Sequence, residues 1–590
     1  MSKKTKKLSK TWLALWLLCL VLLSGALPAS AQMAGQSALP SSTNSLYFPY
    51  LLAVPGVDLS IGFVEITQAT QDLSNSVSLV ANRSAVVRVY GRIDQAAAVS
   101  GVQVSLSGTR DGSPLPGSPL LLSNSQAFPL SQTLESLRSS LSNTYNFQLP
   151  ASWLSGNVTL TATIDPNFLI MDRARGNNSY AITRSFNNVP QLNVVAVPIE
   201  YVDIYSGTVY PPPTTSHLQP ILIAMYPVPA VSVTVHAKMR FSGYLNDGSE
   251  WERLLDRITT LRASEGAAPS TVYYGVVPLE DAHGDTWFYG GVGGLGWLGG
   301  SYGGPRAAVG LGVSDVGPDG YFIGAHEIGH TFGREHAPCD VTPADENYPY
   351  PGGNIGQYGL YVSAMQLRPA TQKDIMGYCT ESYWLSDYTY KGMYVDQERF
   401  AVQQITSPVQ ESLYIRIAFD HLGKASFEPI YSFPARPAAY VEDSPYSIQF
   451  VDAAGQVVSS QMVRPIRAET DGLEVQAVHA LLPRPSTPFV QIRLVKEGAI
   501  LAQKQLAQSD LTSRAAAVTL ESEAQGWLLR WASAEPALVR YSADGGESWI
   551  TLGVDLLGGE LHLEQEDLPD SRLQIQVILG DTLNSLLLNR

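Results

Sequence analysis

Residues 324–339 read GAHEIGHTFGREHAPC and hold three of the chain's nine histidines. On a helix, His326 and His330 stand one turn apart, about 5.4 Å along the axis, so both imidazoles project from one face and can grip one ion. Gly333 can adopt the left-handed conformation that ends a helix, which swings the chain back to deliver His336. Three imidazoles with a fourth position left for water form the ligand set of a catalytic zinc site, one Zn2+ per chain. Glu327 follows the first ligand directly, where a carboxylate can act as general base on a water held by the metal. With three histidines, a glutamate and a glycine fixed, the pattern arises by chance in roughly one chain in 10^5 of this length and composition.

The compartment comes from the N-terminus, which runs MSKKTKKLSKTWLALWLLCLVLLSGALPASAQ. A lysine cluster, a short apolar run and small residues ending in Ala29-Ser30-Ala31 are the parts of a secretory signal peptide over residues 1–31, cleaved near Gln32. The expected mature protein is secreted and carries no membrane anchor, since Cys19 lies within the removed run and no later stretch approaches about 20 apolar residues. Loss of Lys3, Lys4, Lys6, Lys7 and Lys10 takes the formal net charge from −15 to −20. That charge excludes nucleic acid as a natural partner. Two cysteines then remain, Cys339 and Cys379, and in an oxidising compartment a single disulfide is the default. Bonding them closes a loop worth about 4 kcal/mol in chain entropy. The alternative, a Cys339 thiolate on zinc, meets a site already filled by three histidines.

These residues need a scaffold, and the chain divides by pattern. Residues 32–60 are rich in Ser, Pro and Ala and read as a linker. From 61 to 190, short alternating segments such as AVVRVYGRI and NVTLTATI, separated by Gly, Pro, Asn and Asp, predict an immunoglobulin-like β-sandwich. Residues 191–405 change character to an α/β layer. There SEWERLLDRITTL places Trp251, Leu254, Leu255, Ile258 and Leu261 at helical spacing, with Ser249 and Glu252 positioned as a capping box. Alternation returns in 406–505 and 506–590, which predict two more β-sandwiches, the last fibronectin-III-like. Within the last, YSADGGESW resembles an Asp-box through Ser542, Asp544, Gly546 and Trp549. A single copy reads as a hairpin turn rather than a sugar site or a propeller blade.

The motif H-E-x-x-H-x-x-G-x-x-H resembles that of the metzincin metallopeptidases, and the resemblance spans about 191–405. The segment DIMGYC then resembles their Met-turn, which implies Met376 as a structural residue beneath the metal. Tyr378, two residues on, corresponds to a tyrosine that in some metzincins touches zinc or steadies the transition-state oxyanion. By the same resemblance, Gly294 to Gly300 in the glycine-rich run GGVGGLGWLGGSYGG bound the substrate cleft and bind peptide backbone by strand addition. The run HAPCD after the third histidine departs from the His-Asp and His-Glu continuations of two metzincin groups.

The expectation is therefore a multidomain chain: a metzincin-like α/β (α+β) catalytic domain flanked by all-β sandwiches. Its expected activity is zinc-dependent endopeptidase hydrolysis of a protein or peptide substrate, with surface or matrix attachment through the sandwiches. A catalytically silent adhesin on the same scaffold is the competing reading. The retained Glu327 separates the two, because a silent scaffold has no use for the base.

Overall fold

The computed structural model describes residues 56–590 except 124, 313–321, 380–382, 403–407, 438–442, 471–472, 507–517, 570–571 and 590. The signal peptide, its cleavage site, Cys19 and nearly all of the expected linker thus lie outside the described residues. The chain is multidomain and predominantly β, with 43% of residues in strands against 14% in helices, so sheets set the architecture. Among the described residues, no helix is long and apolar enough to cross a membrane.

Strands from Leu59–Thr67 to Ser179–Asn187 form two facing sheets. Their inner faces share one core that includes Val64, Val87, Leu106, Trp153 and Leu160, as alternation predicts for a sandwich. A buried polar knot lies on the other face of the first sheet, where Glu65, Arg88 and Tyr90 alternate with the core residues Val64, Ile66, Val87 and Val89. Glu65 receives the Tyr90 hydroxyl and pairs with Arg88 and Arg138, and Arg138 also pairs with Glu135 at the surface, so two carboxylates face the two guanidinium groups.

A seven-stranded mixed sheet follows. Leu192–Asp203 runs parallel to Val272–Pro278, which runs parallel to Ala307–Gly312, and Gly294–Gly296 closes that edge antiparallel. The buried run VYYGVVP of Val272–Pro278 is apolar on both faces because helices cover both. On one side lies the helix Gly248–Ser264, whose Trp251, Leu254, Leu255, Ile258 and Leu261 are all fully buried. On the other lie Leu218–Met225 and Phe322–His330, packed through Leu218, Leu222, Ala325 and Ile328.

The helix 248–264 begins differently from the capping-box expectation. Asp247 is the N-cap and accepts from the Ser249 amide, while the Ser249 hydroxyl bonds the same carboxylate. Asp and Ser compete equally well for the cap, and here the earlier residue holds the extended backbone that a cap requires.

Two further sandwiches complete the chain. The first pairs a sheet containing Gln410–Phe419, Ile466–Thr470 and Leu473–Pro483 with one built on Tyr446–Val451 and Gln491–Lys496. The second packs Gly526–Arg530 against Ala537–Ser542 and Gln574–Leu579. The Asp-box segment forms the hairpin turn after Ser542: Ser542 Oγ donates to Asp544 and accepts from the Gly546 amide.

These modules pack directly against one another. One apolar cluster runs from Leu255 and Trp297 of the α/β layer into Phe433, Ala468 and Leu538 of the sandwiches. At its rim, the fully buried Arg416 guanidinium bridges Asp256 of the helix 248–264 and Asp555 of the last sandwich, the latter at 2.6 Å. Arg540 also donates to the Ser264 carbonyl at 2.5 Å. Replacing Arg416 with leucine keeps the bulk but leaves two largely buried carboxylates uncompensated. The expected cost is about 3 kcal/mol, read as a lower urea midpoint for the full chain. A parental midpoint would show that the bridge contributes nothing to docking.

Candidate metal centre

The helix Phe322–His330 carries the first half of the motif, and all of it from Gly324 to His330 is buried. Its end is made by Gly333, whose amide bonds the His330 carbonyl at 2.8 Å and whose φ is +73°. A Cβ at that position would lie 3.0 Å from the Gly299 carbonyl, so both backbone sign and space call for glycine. The chain then turns back, and His336 arrives beside the first two histidines.

The three rings converge. Ring centroids are 4.8 Å apart for His326 and His330, 5.3 Å for His326 and His336, and 4.7 Å for His330 and His336. One ligating atom from each lies within 4.8 Å of the others. His326 Nδ1 is 2.6 Å from the Ile375 carbonyl and His330 Nδ1 is 2.7 Å from the Arg334 carbonyl. A carbonyl can only accept, so each Nδ1 carries the hydrogen and each Nε2 presents its lone pair. The two Nε2 atoms face each other at 3.1 Å. Burial pulls His326 down to about 4, and burial together with His326 pulls His336 down to about 2. Burial, reinforced by the other two rings, also holds His330 well below the ordinary imidazole value. Two neutral rings with facing Nε2 lone pairs and the third neutral ring, His336, with a nitrogen within 4.8 Å, are a donor set for a divalent cation, and the two facing lone pairs need a positive charge between them.

Glu327 is buried, and its Oε2 has no hydrogen-bond partner among the described residues. Burial pushes its carboxyl well above the usual range. The side chain lies against the edge strand: a Cβ on Gly294 would sit 2.5 Å from Glu327 Oε1, and one on Gly296 2.4 Å from the Glu327 carbonyl. Glycines there let the edge strand press directly onto the histidine helix. The expected cleft-bounding run is therefore placed beside the proposed base.

Met376 is buried in the cluster formed by Ala325, Ile328 and Met393, beneath the histidine helix. Tyr378 comes to the same place, its ring centroid 5.4 Å from His326 and 4.8 Å from His336. Cys339 and Cys379 are bonded, with Cα atoms 5.5 Å apart. The two strands of chain they join also exchange backbone bonds, Ala337 N–H to the Met376 carbonyl and Tyr378 N–H to the Cys339 carbonyl. The disulfide thus ties the exit of the third histidine to the turn below.

Sequence reasoning missed two residues here. Asp374 is fully buried and accepts from the Met376 and Ser386 amides and from the Thr389 and Tyr348 hydroxyls. It fixes the turn that supplies both Met376 and the Ile375 carbonyl to which His326 is bonded. Its position two residues before Met376 is the one local signal, since aspartate commonly caps the amide two residues on. The second is Glu469 in the strand Ile466–Thr470, whose carboxylate lies 3.5 Å from His336 Nδ1. No local pattern marks it.

No known family model matches the chain, and no curated protein matches it. Solved structures that align with it include the CARDB domain of a Pyrococcus furiosus protein in complex with di-metal ions, at 15% identity over 22% of this chain and 89% of that one, TM-score 0.15. A carbohydrate acetylesterase from Xanthomonas citri aligns at 10% identity over 72% and 97% of the two chains, TM-score 0.17. A β-glucuronidase from Parabacteroides merdae aligns at 10% identity over 90% and 78%, TM-score 0.14. Similarity this slight assigns neither fold nor activity.

Asp374→Ala leaves two buried amides without acceptors, at about 1–3 kcal/mol each. The expected result is a loss of about 3 kcal/mol or more in chemical unfolding together with weaker metal retention. Unchanged values of both would remove Asp374 from the scaffold of the site.

Proposed function

We propose that the protein is a secreted, metzincin-like zinc endopeptidase that cleaves protein or peptide substrates. One observation carries the reading: three neutral imidazoles converge while a carboxyl oxygen of Glu327, one residue from the first, is buried without a partner among the described residues. An unpartnered buried carboxyl oxygen is costly unless the site uses it.

His326, His330 and His336 would hold a zinc ion, which when bound would supply Lewis-acid polarisation of the scissile carbonyl and an acidified water. Glu327 takes the proton from the attacking water and returns it to the leaving amine. The edge strand Gly294–Gly296, which lies over Glu327, offers backbone groups to an extended peptide and brings its carbonyl toward the histidines. The glycines keep side chains out of that approach. Tyr378, beside two of the three rings, is suited to steady the developing oxyanion. Asp374, Met376 and the disulfide hold the floor and bind no substrate. The β-sandwiches are free to attach the enzyme to a surface or matrix.

The deciding experiment is Glu327→Gln, which preserves size and removes the basic carboxylate. The parent should hold one zinc per chain and cleave peptides in a chelator-sensitive way. The variant should retain its zinc and melting temperature and lose at least about 10^2 in rate, roughly 3 kcal/mol in barrier. Full peptidase activity in zinc-loaded Glu327→Gln would overturn the mechanism. A zinc-loaded parent that cleaves nothing in a denatured proteome would favour the silent adhesin. His330→Ala should lose the metal itself.

A further inference from the structure

We infer that Glu469, contributed by the sandwich that follows the α/β layer, is the positioning residue of the third metal ligand, so that the metal centre is shared between two modules. The inference rests on the proposed metal site but not on peptidase activity.

The first two histidines are oriented from within their own module, each Nδ1 bonded to a backbone carbonyl, Ile375 for His326 and Arg334 for His330. His336 has no such bond: both ring nitrogens are buried and without a hydrogen-bond partner among the described residues. The Glu469 carboxylate lies 3.5 Å from its Nδ1, and Glu469 is itself 7% exposed. It therefore stands where the other two rings have their carbonyls. It does not join the cluster of ligating atoms, which contains the three histidines and no carboxylate. Glu469 thus acts through His336: a carboxylate 3.5 Å from Nδ1 favours the tautomer with its hydrogen there, which leaves the Nε2 lone pair for a cation and raises its basicity.

Backbone pairing fixes the register that puts Glu469 there. The Leu298 amide donates to the Arg467 carbonyl at 2.7 Å, and Trp297 bridges Ala468 in antiparallel register. The strand Ile466–Thr470 thereby continues the edge of the seven-stranded sheet just past Gly294–Gly296. Arg467 also reaches Glu335, the neighbour of His336, at 3.5 Å. Both contacts bind the third ligand's loop to the second module.

The test uses the purified mature full-length chain and zinc itself, with affinity measured by competition against a chromophoric chelator. Glu469→Ala is expected to weaken zinc by about 10- to 100-fold, and the isosteric Glu469→Gln, which keeps an acceptor oxygen but no charge, by less. In cobalt-loaded protein both variants should shift the visible ligand-field bands, a readout that a purely structural role would leave in place. The zinc-free Gln variant should melt with the parent. Parental zinc affinity in Glu469→Ala would overturn the inference. So would a loss in Glu469→Gln matched by a fall in the melting temperature of the zinc-free chain, since the residue would then act on the fold. A parent that binds zinc through His330 while Glu469→Ala binds it equally well defeats this inference alone. A parent that binds no zinc defeats the metal-site reading with it.

Discussion

Three neutral imidazoles packed together, two of them with facing Nε2 lone pairs, repel one another, and the rest of the site is arranged to hold them there. Burial keeps protons off the rings, which preserves the lone pairs but removes the water that would otherwise stabilise them. Each ring must then be locked by its second nitrogen, because a free imidazole would rotate away from the others. The Ile375 and Arg334 carbonyls do this for two rings, and the geometry of those carbonyls depends on the turn anchored by Asp374 and on the left-handed Gly333.

The same constraint explains the glycine content around the centre. The helix that carries two of the histidines and a glutamate is covered so closely that backbone, not side chains, lies against it. The edge strand provides this with bare backbone at Gly294 and Gly296. Below the helix the arrangement is the opposite, and Met376, Ile328 and Met393 fill the space with apolar volume. The disulfide joins the segment after His336 to the Met376 turn and limits how far that histidine can drift from it.

What could be read from sequence was what depends on neighbours a few residues apart. The periodicity of Trp251, Leu254, Leu255, Ile258 and Leu261 predicts a helix with one buried face, and the structure buries all five. Spacing alone brought together His326, His330 and His336, and the cysteine count paired Cys339 with Cys379. The start of the helix 248–264 was misjudged because Asp247 and Ser249 are both good caps, and only the backbone conformation decides between them. Asp374 left a faint local trace. Glu469, Arg416 and the continuous core between modules left none, since their partners lie in distant parts of the chain and nothing in a lone glutamate or arginine names the residue it will meet.

The pairing of Trp297 with Ala468 also bears on the order in which the molecule is made. A ribosome delivers the α/β layer first, with the edge of its sheet at Trp297 uncovered, and the strand that covers it only after the helices Phe322–His330 and Asp387–Val402 and the first strands of the next sandwich. Until that strand docks, an exposed sheet edge and the Trp297 indole are open to other chains. Joining them closes a long loop, which costs little more free energy than closing a short one but takes longer to find. The nascent protein therefore passes through a stage in which the sheet edge beside the three clustered histidines is bare, and it must be kept apart from its copies until the strand Ile466–Thr470 is made.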